Sequence, residues 1–395
     1  MKRLGVKLLF VSLCLVLAVM LALPACAPTP EEGKPLKIGL LLPYTGFASP
    51  WTAPHSEAAV RLKLDEVGWE VAGRAIELIT EDEASDAVVA VEKAKKLVEH
   101  DQVGVLIGAL WGASSIAVAS YASQAGVCYS TYIQESMGCL RNTPNYTVMP
   151  YGTLAGGNVP AGYYAYDVLG YRTATTVYQD FIAGEEFIGG FEAGFKERGG
   201  TIVQRQAVPP GTIDFAPYLT NLKEADCLAY WLAGTMNIFL GQYYDFGVKI
   251  PIIPVAGWCL EMEPLKEMGD KALGIVTSGH ANEWVTDLPL NAPFVEAMYD
   301  RGYLPINYAY SIYVATATFL EAVEATGGDT SPEKLHAAWL KVKMDAPMGP
   351  ISFDEQGCGI GNLYVYEWSK KDGEYYWKPI KEYERISMKC PAIDG

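Results

Sequence analysis

The chain has 395 residues, half of them apolar and 12% aromatic, and a formal net charge of −16. That acidity excludes binding of nucleic acid or of an anionic membrane surface through charge. The length exceeds what one small core organises and suits two domains.

The chain opens on a short basic segment, Met1-Lys2-Arg3-Leu4-Gly5-Val6-Lys7, followed by an apolar run over residues 8–23. Basic head, short apolar middle and small-residue exit form a secretory leader. The run is too short for a spanning helix of about 20 residues. Its exit, Leu23-Pro24-Ala25-Cys26, resembles a bacterial lipobox. The resemblance implies a signal peptide over residues 1–25 and a diacylated Cys26 as the mature amino terminus. An ordinary leader with an incidental cysteine is the alternative. Residues 26–35 are polar, rich in proline and without periodicity, and read as an extended tether. Two acyl chains on one cysteine hold a domain at a bilayer stably. Lys2, Arg3 and Lys7 leave with the leader, which takes the mature charge to near −19. No later segment approaches a membrane-spanning apolar length, so the body reads as soluble.

Apart from Cys14 in the leader and Cys26, six cysteines remain: Cys128, Cys139, Cys227, Cys259, Cys358 and Cys390. An even count in an exported chain suggests disulfides. Cys128–Cys139 and Cys358–Cys390 are the local pairs, which leaves Cys227 with Cys259, although the sequence alone leaves the pairing open. There is no CxxC, and His55, His100, His280 and His336 are scattered, so neither a metal site nor a cofactor is expected.

Leu36-Lys37-Ile38-Gly39-Leu40-Leu41-Leu42 reads as a buried strand. A helix is expected over 56–67, a strand over 75–80 ending in the acidic loop Glu81-Asp82-Glu83, and a helix over 87–99 with apolar residues at 3–4 spacing. Strand 103–107, helix 114–125 and strand 127–130 follow. The alternation restarts after Tyr151, with helix 157–169, strand 173–178, helix 184–198, strand 201–206, helix 215–223, strand 227–232 and strand 250–255. Strand and helix in strict alternation predict parallel sheets built from right-handed crossovers, hence an α/β chain of two Rossmann-like lobes. No GxGxxG follows the first strand, which speaks against a dinucleotide site.

Three segments carry a family resemblance. Lys37-Ile38-Gly39-Leu40-Leu41-Leu42-Pro43-Tyr44-Thr45-Gly46, Val105-Leu106-Ile107-Gly108-Ala109-Leu110-Trp111-Gly112-Ala113-Ser114-Ser115 and Gly349-Pro350-Ile351-Ser352-Phe353-Asp354-Glu355-Gln356-Gly357 resemble, in order and spacing, the branched-chain-amino-acid-type periplasmic solute-binding proteins. The resemblance runs from about residue 36 to 366. It implies a type I periplasmic binding fold with three crossings, near residues 148–151, 277–283 and 347–351. Lobe one would be 36–149 and 281–346, and lobe two 150–280 and 347–395. It also implies a small-molecule ligand, membrane permease subunits as partners and a monomeric protein.

Open parallel sheets bind ligands beyond the carboxyl ends of their strands. Those ends offer Tyr44, Trp51, Trp111, Gly112, Ala113, Tyr132, Ile133 and Gln134 from the first half. Phe181 with Ile182, Gly234 with Thr235, and Trp258 come from the second. The helix expected from Ser114 presents free N–H groups suited to a carboxylate. The resemblance places the ligand's carboxylate on residues 112–115 and 132–134, with Trp51 over the ligand. Amino-acid-binding members grip the ammonium with acids of lobe two, where this chain has Leu154 and Gly257. Glu135, Asp180, Glu185 and Glu261 fall out of register. A buried, unpaired ammonium costs several kcal/mol. A carboxylate or amide with an apolar or aromatic body is therefore expected over a plain branched-chain amino acid.

A receptor for an ABC importer is the preferred function, in an exported, membrane-anchored chain. A sensor module would be fused to a membrane or signalling segment, and the chain reaches Gly395 without one. A hydrolase would need GxSxG, HExxH or paired carboxylates. Only Glu185 with Glu186, and Glu81 with Glu83, offer the last, and solvated helix or loop faces account for both pairs.

Overall fold

The computed structural model describes residues 33–46, 49, 52–110, 112–255 and 262–389. The leader, Cys26, most of the tether, Trp51, Trp111, Gly257, Trp258, Cys259, Glu261 and Cys390 lie outside the described residues.

Three sheets organise the chain from Pro35 onward. The first holds β1 (Leu36–Leu42), β2 (Glu70–Val71), β3 (Arg74–Asp82), β4 (Val105–Gly108), β5 (Cys128–Thr131) and β6 (Thr147–Val148), in the order β2-β3-β1-β4-β5-β6. All its pairs are parallel except the β2–β3 hairpin. β1 lies between β3 and β4 and is covered on both faces, which explains its nearly unbroken apolar sequence. The second sheet is wholly parallel: β7 (Thr173–Gln179), β8 (Thr201–Val208), β9 (Cys227–Trp231) and β10 (Ile252–Pro254), ordered β10-β9-β7-β8. The third is antiparallel and comprises β11 (Val276–Gly279), β12 (Met344–Ala346), β13 (Gly349–Phe353), β14 (Gly359–Lys371) and β15 (Glu374–Ser387).

The expected alternation is present element for element, with ends shifted by a few residues. The helix expected over 87–99 is α-helical only over Ala87–Lys95, then widens into a π turn, Lys96–His100. Asp86 caps its start by accepting from Val88 N at 2.8 Å and Val89 N at 3.0 Å. Lys96 leaves the π turn to pair with Glu81 and, at 3.3 Å, with Asp101. Helix Asn307–Ala325 is buried around most of its girth because it is sandwiched between helices Ala53–Glu66 and Pro332–Trp339. The chain thus returns to the first sheet after visiting the second. Among the described residues no helix is long and apolar enough to cross a membrane, and no group of three or more potential metal ligands gathers.

The end of β15 locks against the strand-to-helix passage after β6. Thr153 N donates to Met388 O at 2.9 Å, and a Cβ at Gly156 would stand 1.8 Å from that oxygen. Only glycine fits there. Nearby, Met149 is bridged to Cys358, with Met149 N donating to Gly357 O at 2.8 Å.

The cysteine expectation needs correcting. Cys128, Cys139, Cys227 and Cys358 are buried free thiols. Cys128 and Cys139 are not paired because alternation along β5 directs them apart: Cys128 lies against Pro332 O at 3.5 Å, and its strand neighbour Tyr129 is the residue beside Cys139. Burial pushes the Cys128 thiol up to about 12, so it is inert. The expected partners of Cys227 and Cys358 lie outside the described residues.

Trp339 is fully buried against Phe319, with ring centroids 5.4 Å apart. Trp339→Ala is expected to cost about 3–5 kcal/mol, read from the denaturant midpoint. A loss below about 1 kcal/mol would contradict this packing.

Candidate functional site

The carboxyl ends of the first two sheets meet, and the loops there form the candidate site. After β4 the backbone turns sharply: Gly108 has φ +128° and Ala109 φ +55°. Gly108 is required, since a Cβ would lie 1.9 Å from Leu41 O. Ala109 N donates to Leu41 O at 3.0 Å, and Ser115 Oγ donates to Ala109 O at 2.9 Å. Helix Gly112–Ala125 then begins at the mouth of the site, so its first N–H groups have no partner within the helix.

Gly112 faces the second sheet's side: a methyl added to it would stand 3.8 Å from Ile182 Cγ2. Ile182 is 48% exposed and Ala113 is exposed as well, which places both at the rim. Tyr132, Ile133 and Gln134 are buried below it. The Tyr132 ring lies 6.1 Å from Tyr308. Gln134 reaches across to His280, Nε2 to Nε2 at 3.2 Å, and its amide packs against Gly157.

Two expected residues also make contacts within the chain. Tyr44 turns to its own helix and donates to Glu57 Oε2 at 2.8 Å. Phe181 is half-buried against Trp231, with centroids 5.6 Å apart, so it forms the wall through Trp231. Thr235 precedes helix Met236–Asp245; its carbonyl accepts from Phe239 N at 3.0 Å, and its Oγ1 is buried without a partner. Gly234 is exposed beside it. Trp51, Trp111 and Trp258 lie outside the described residues.

The acidic residues require a second correction. Glu81 is paired with Lys93 at 3.1 Å and with Lys96, but Glu83 and Glu186 are not on solvated faces. Strand β3 ends at Asp82, and left-handed Ala84 and Ser85 turn the chain back, so Glu83 points inward. Leu110 N donates to its Oε1 at 2.8 Å. Glu186 lies on the inner face of helix Ile182–Glu197 and accepts from Ser136 Oγ at 2.6 Å, a hydrogen bond joining the two sheet layers. Glu135 is buried as well, close enough to both acids to feel them. Burial pushes Glu83 up to about 8, holds Glu135 well above the carboxylate range and raises Glu186. Composition carried no signal for these three, since an acid in a loop and an acid on a helix look alike in sequence whether they point in or out.

His280 follows β11 in a fully buried position. Its ring stacks on Tyr151 with centroids 3.6 Å apart, and its carbonyl accepts from Tyr366 OH at 2.5 Å. Burial pushes the imidazole down to about 3. A proton therefore prefers the solvated ring, and acid opposes this packing between pH 6.5 and 3. Glu83 acts in the opposite sense, because its raised value favours the folded chain as pH falls from 8 towards 4.5. The comparison with His280→Gln isolates the histidine. Relative to that variant, the protein is expected to lose about 2 kcal/mol of unfolding free energy between pH 6.5 and pH 5. A difference that stays constant with pH would exclude a neutral, buried His280.

Known proteins share this fold. The sequence profile of the family described as periplasmic binding protein matches residues 35–374. A Leu/Ile/Val-binding protein homolog 6 of Brucella melitensis is 26% identical over 378 residues, covering 92% of this chain and 96% of its own. An ABC transporter substrate-binding protein from Sphaerobacter thermophilus superposes with a TM-score of 0.82 at 29% identity, over 90% of this chain and 100% of its own. A solute binding protein of an ABC transporter from Rhodopseudomonas palustris, solved in complex with 3,4-dihydroxy benzoic acid, gives 0.78 at 28% identity, over 91% and 99%. Fold, strand-end site and these matches agree: the chain belongs to the periplasmic binding protein family, and is of the Leu/Ile/Val-binding-like, ABC-transporter substrate-binding type.

Proposed function

We propose that this protein is the lipid-anchored, extracytoplasmic receptor of an ABC importer. It captures a small carboxylate or amide with an aromatic or apolar body between two closing lobes, and it binds without catalysing. The observation that carries this reading is the pairing across the site. The first N–H groups of helix Gly112–Ala125, which the helix itself cannot pair, stand opposite the apolar rim of Ile182, with Phe181 and Trp231 behind it. The first can hold an anion, the second an aromatic or aliphatic body. The dihydroxybenzoic acid bound by the Rhodopseudomonas palustris relative has this chemistry.

Lobe one comprises residues 36–149 and 281–346, and lobe two 150–280 and 347–395. The Tyr151–His280 stack supports this division, because it brings two of the crossings side by side. The Ser136–Glu186 hydrogen bond then spans the cleft and belongs to the closed state. The ligand contacts are Trp51, Trp111, Gly112, Ala113, Tyr132, Ile133, Gln134, Phe181, Thr235 and Trp258. Cys26 carries the lipid, and the tether keeps the monomeric receptor near its permease at high effective concentration.

Thermal-shift titration should rank benzoate and 3,4-dihydroxybenzoate above leucine and isoleucine. An equal or larger stabilisation by leucine would assign the site to amino acids instead. Trp51→Ala and Trp111→Ala are each expected to weaken the best ligand more than about tenfold, or about 1.4 kcal/mol, with the fold intact. Unchanged affinity removes that residue from the site. Cys26→Ser is expected to move the protein from the membrane fraction to the soluble fraction while it still binds ligand. Retention in membranes would refute the lipid anchor.

A further inference from the structure

Leu110 is buried, and its N–H lies in a turn where no strand or helix partner reaches it. A buried N–H left unpaired is destabilising. Here the Oε1 of Glu83, from the end of a different strand, accepts it at 2.8 Å. The other oxygen, Oε2, is buried and has no hydrogen-bond partner. Glu83 itself is 0% exposed. One side chain therefore ties the end of β3 to the turn that leads from β4 into helix Gly112–Ala125.

We propose that Glu83 is a positioning residue for ligand recognition: it fixes the turn at Leu110 and thereby aims the N–H groups that follow it into the cleft. The inference rests on the reading that this turn holds the ligand's anionic group. Among the described residues, the Leu110 N–H has no other tie than the one to Glu83. Gly108 and Ala109 are both left-handed, and the other ties, Tyr129 OH to Gly108 O, Ala109 N to Leu41 O and Ser115 Oγ to Ala109 O, all fall on Gly108 and Ala109 and leave Leu110 to Glu83. Without Glu83, Leu110 would have to rotate its N–H towards water, and the start of helix Gly112–Ala125 would turn with it.

The surroundings also determine the charge on Glu83. The groups that face it are Asp82 on its own strand, Tyr129 on β5, and Tyr132 and Glu135 just after β5. All are acidic or neutral, and none is a cation. Burial among them keeps the side chain a neutral carboxylic acid at pH 7, with its value at about 8. A neutral acid can sit behind an anion-binding turn without repelling the anion. Above pH 8 the same group becomes a buried negative charge beside the site.

The test uses the purified protein with benzoate as probe, whose charge is constant across pH 6–10, beside Glu83→Gln and Glu83→Ala. Glutamine can still accept from Leu110 but cannot ionise. Wild-type affinity is expected to fall about tenfold between pH 7 and pH 9. Glu83→Gln should lose that alkaline fall and bind more tightly at pH 7 than Glu83→Ala, which should be weakened about tenfold or more. A Glu83→Ala protein that binds like wild type, or a Glu83→Gln protein that keeps the alkaline fall, overturns the proposal. The Leu110 amide resonance of the ligand-free protein gives a separate readout. It should titrate near pH 8 in wild type and lose that titration in Glu83→Gln. If the probe fails to bind wild type but the amide titrates, the ligand assignment falls and the role of Glu83 in the turn stands. An amide indifferent to pH overturns the role itself.

Discussion

The turn after β4 is the constraint on which the site depends. Parallel strands end in line, and their next residues must leave the sheet without burying unpaired N–H groups. At Gly108 and Ala109 the chain does so by bending against Leu41 O, so closely that only a glycine is accommodated at the first position. Every later feature of the first lobe's face follows from the direction this bend imposes. Helix Gly112–Ala125 starts at the rim, Ser115 reaches back to Ala109, and Leu110 is turned inward to Glu83. A site assembled from backbone in this way is rigid, and the ligand does not bear the entropy cost of ordering it.

Where the two layers meet, polar groups are buried away from water. The structure meets this demand with pairs that span the interface, Ser136 with Glu186 and Gln134 with His280, instead of with ion pairs. Hydrogen bonds of this kind cost less to break than contacts between buried opposite charges. Glu135, lodged between Glu83 and Glu186, extends the same logic. Burial raises all three carboxyl groups above their ordinary values.

The alternation of strands and helices was legible because it is written in period. β1 reads as an unbroken apolar run because two strands flank it, and the expected helices show their inner faces at 3–4 spacing. The loops after β4 and β5 could be placed for the same reason, since they follow the ends of strands that were recognised. Orientation within a loop has no period. Glu83 and Glu81 are two residues apart and go to opposite fates because Ala84 and Ser85 adopt left-handed backbone, which no composition rule assigns to alanine or serine. The direction of Tyr44 has a similar local cause, its hydroxyl being held by Glu57. The Cys128–Cys139 pairing followed closeness in sequence, whereas alternation along β5 sends Cys128 to the far face.

The contact between Met388 and the passage after β6 has a kinetic consequence. Thr153 Oγ1 donates to Met388 O at 2.9 Å across a separation of 235 residues, and Gly156 lies against the same carbonyl. The chain must close that loop before the passage between its two layers is secured. Topologies dominated by such distant pairings fold slowly, because the entropy of loop closure is spent before the contact returns any energy. The first sheet can assemble early from neighbours in sequence, but the frame that sets one layer against the other is among the last parts to form. Until then the chain stays loose, which is the state in which a polypeptide can be threaded through a membrane pore.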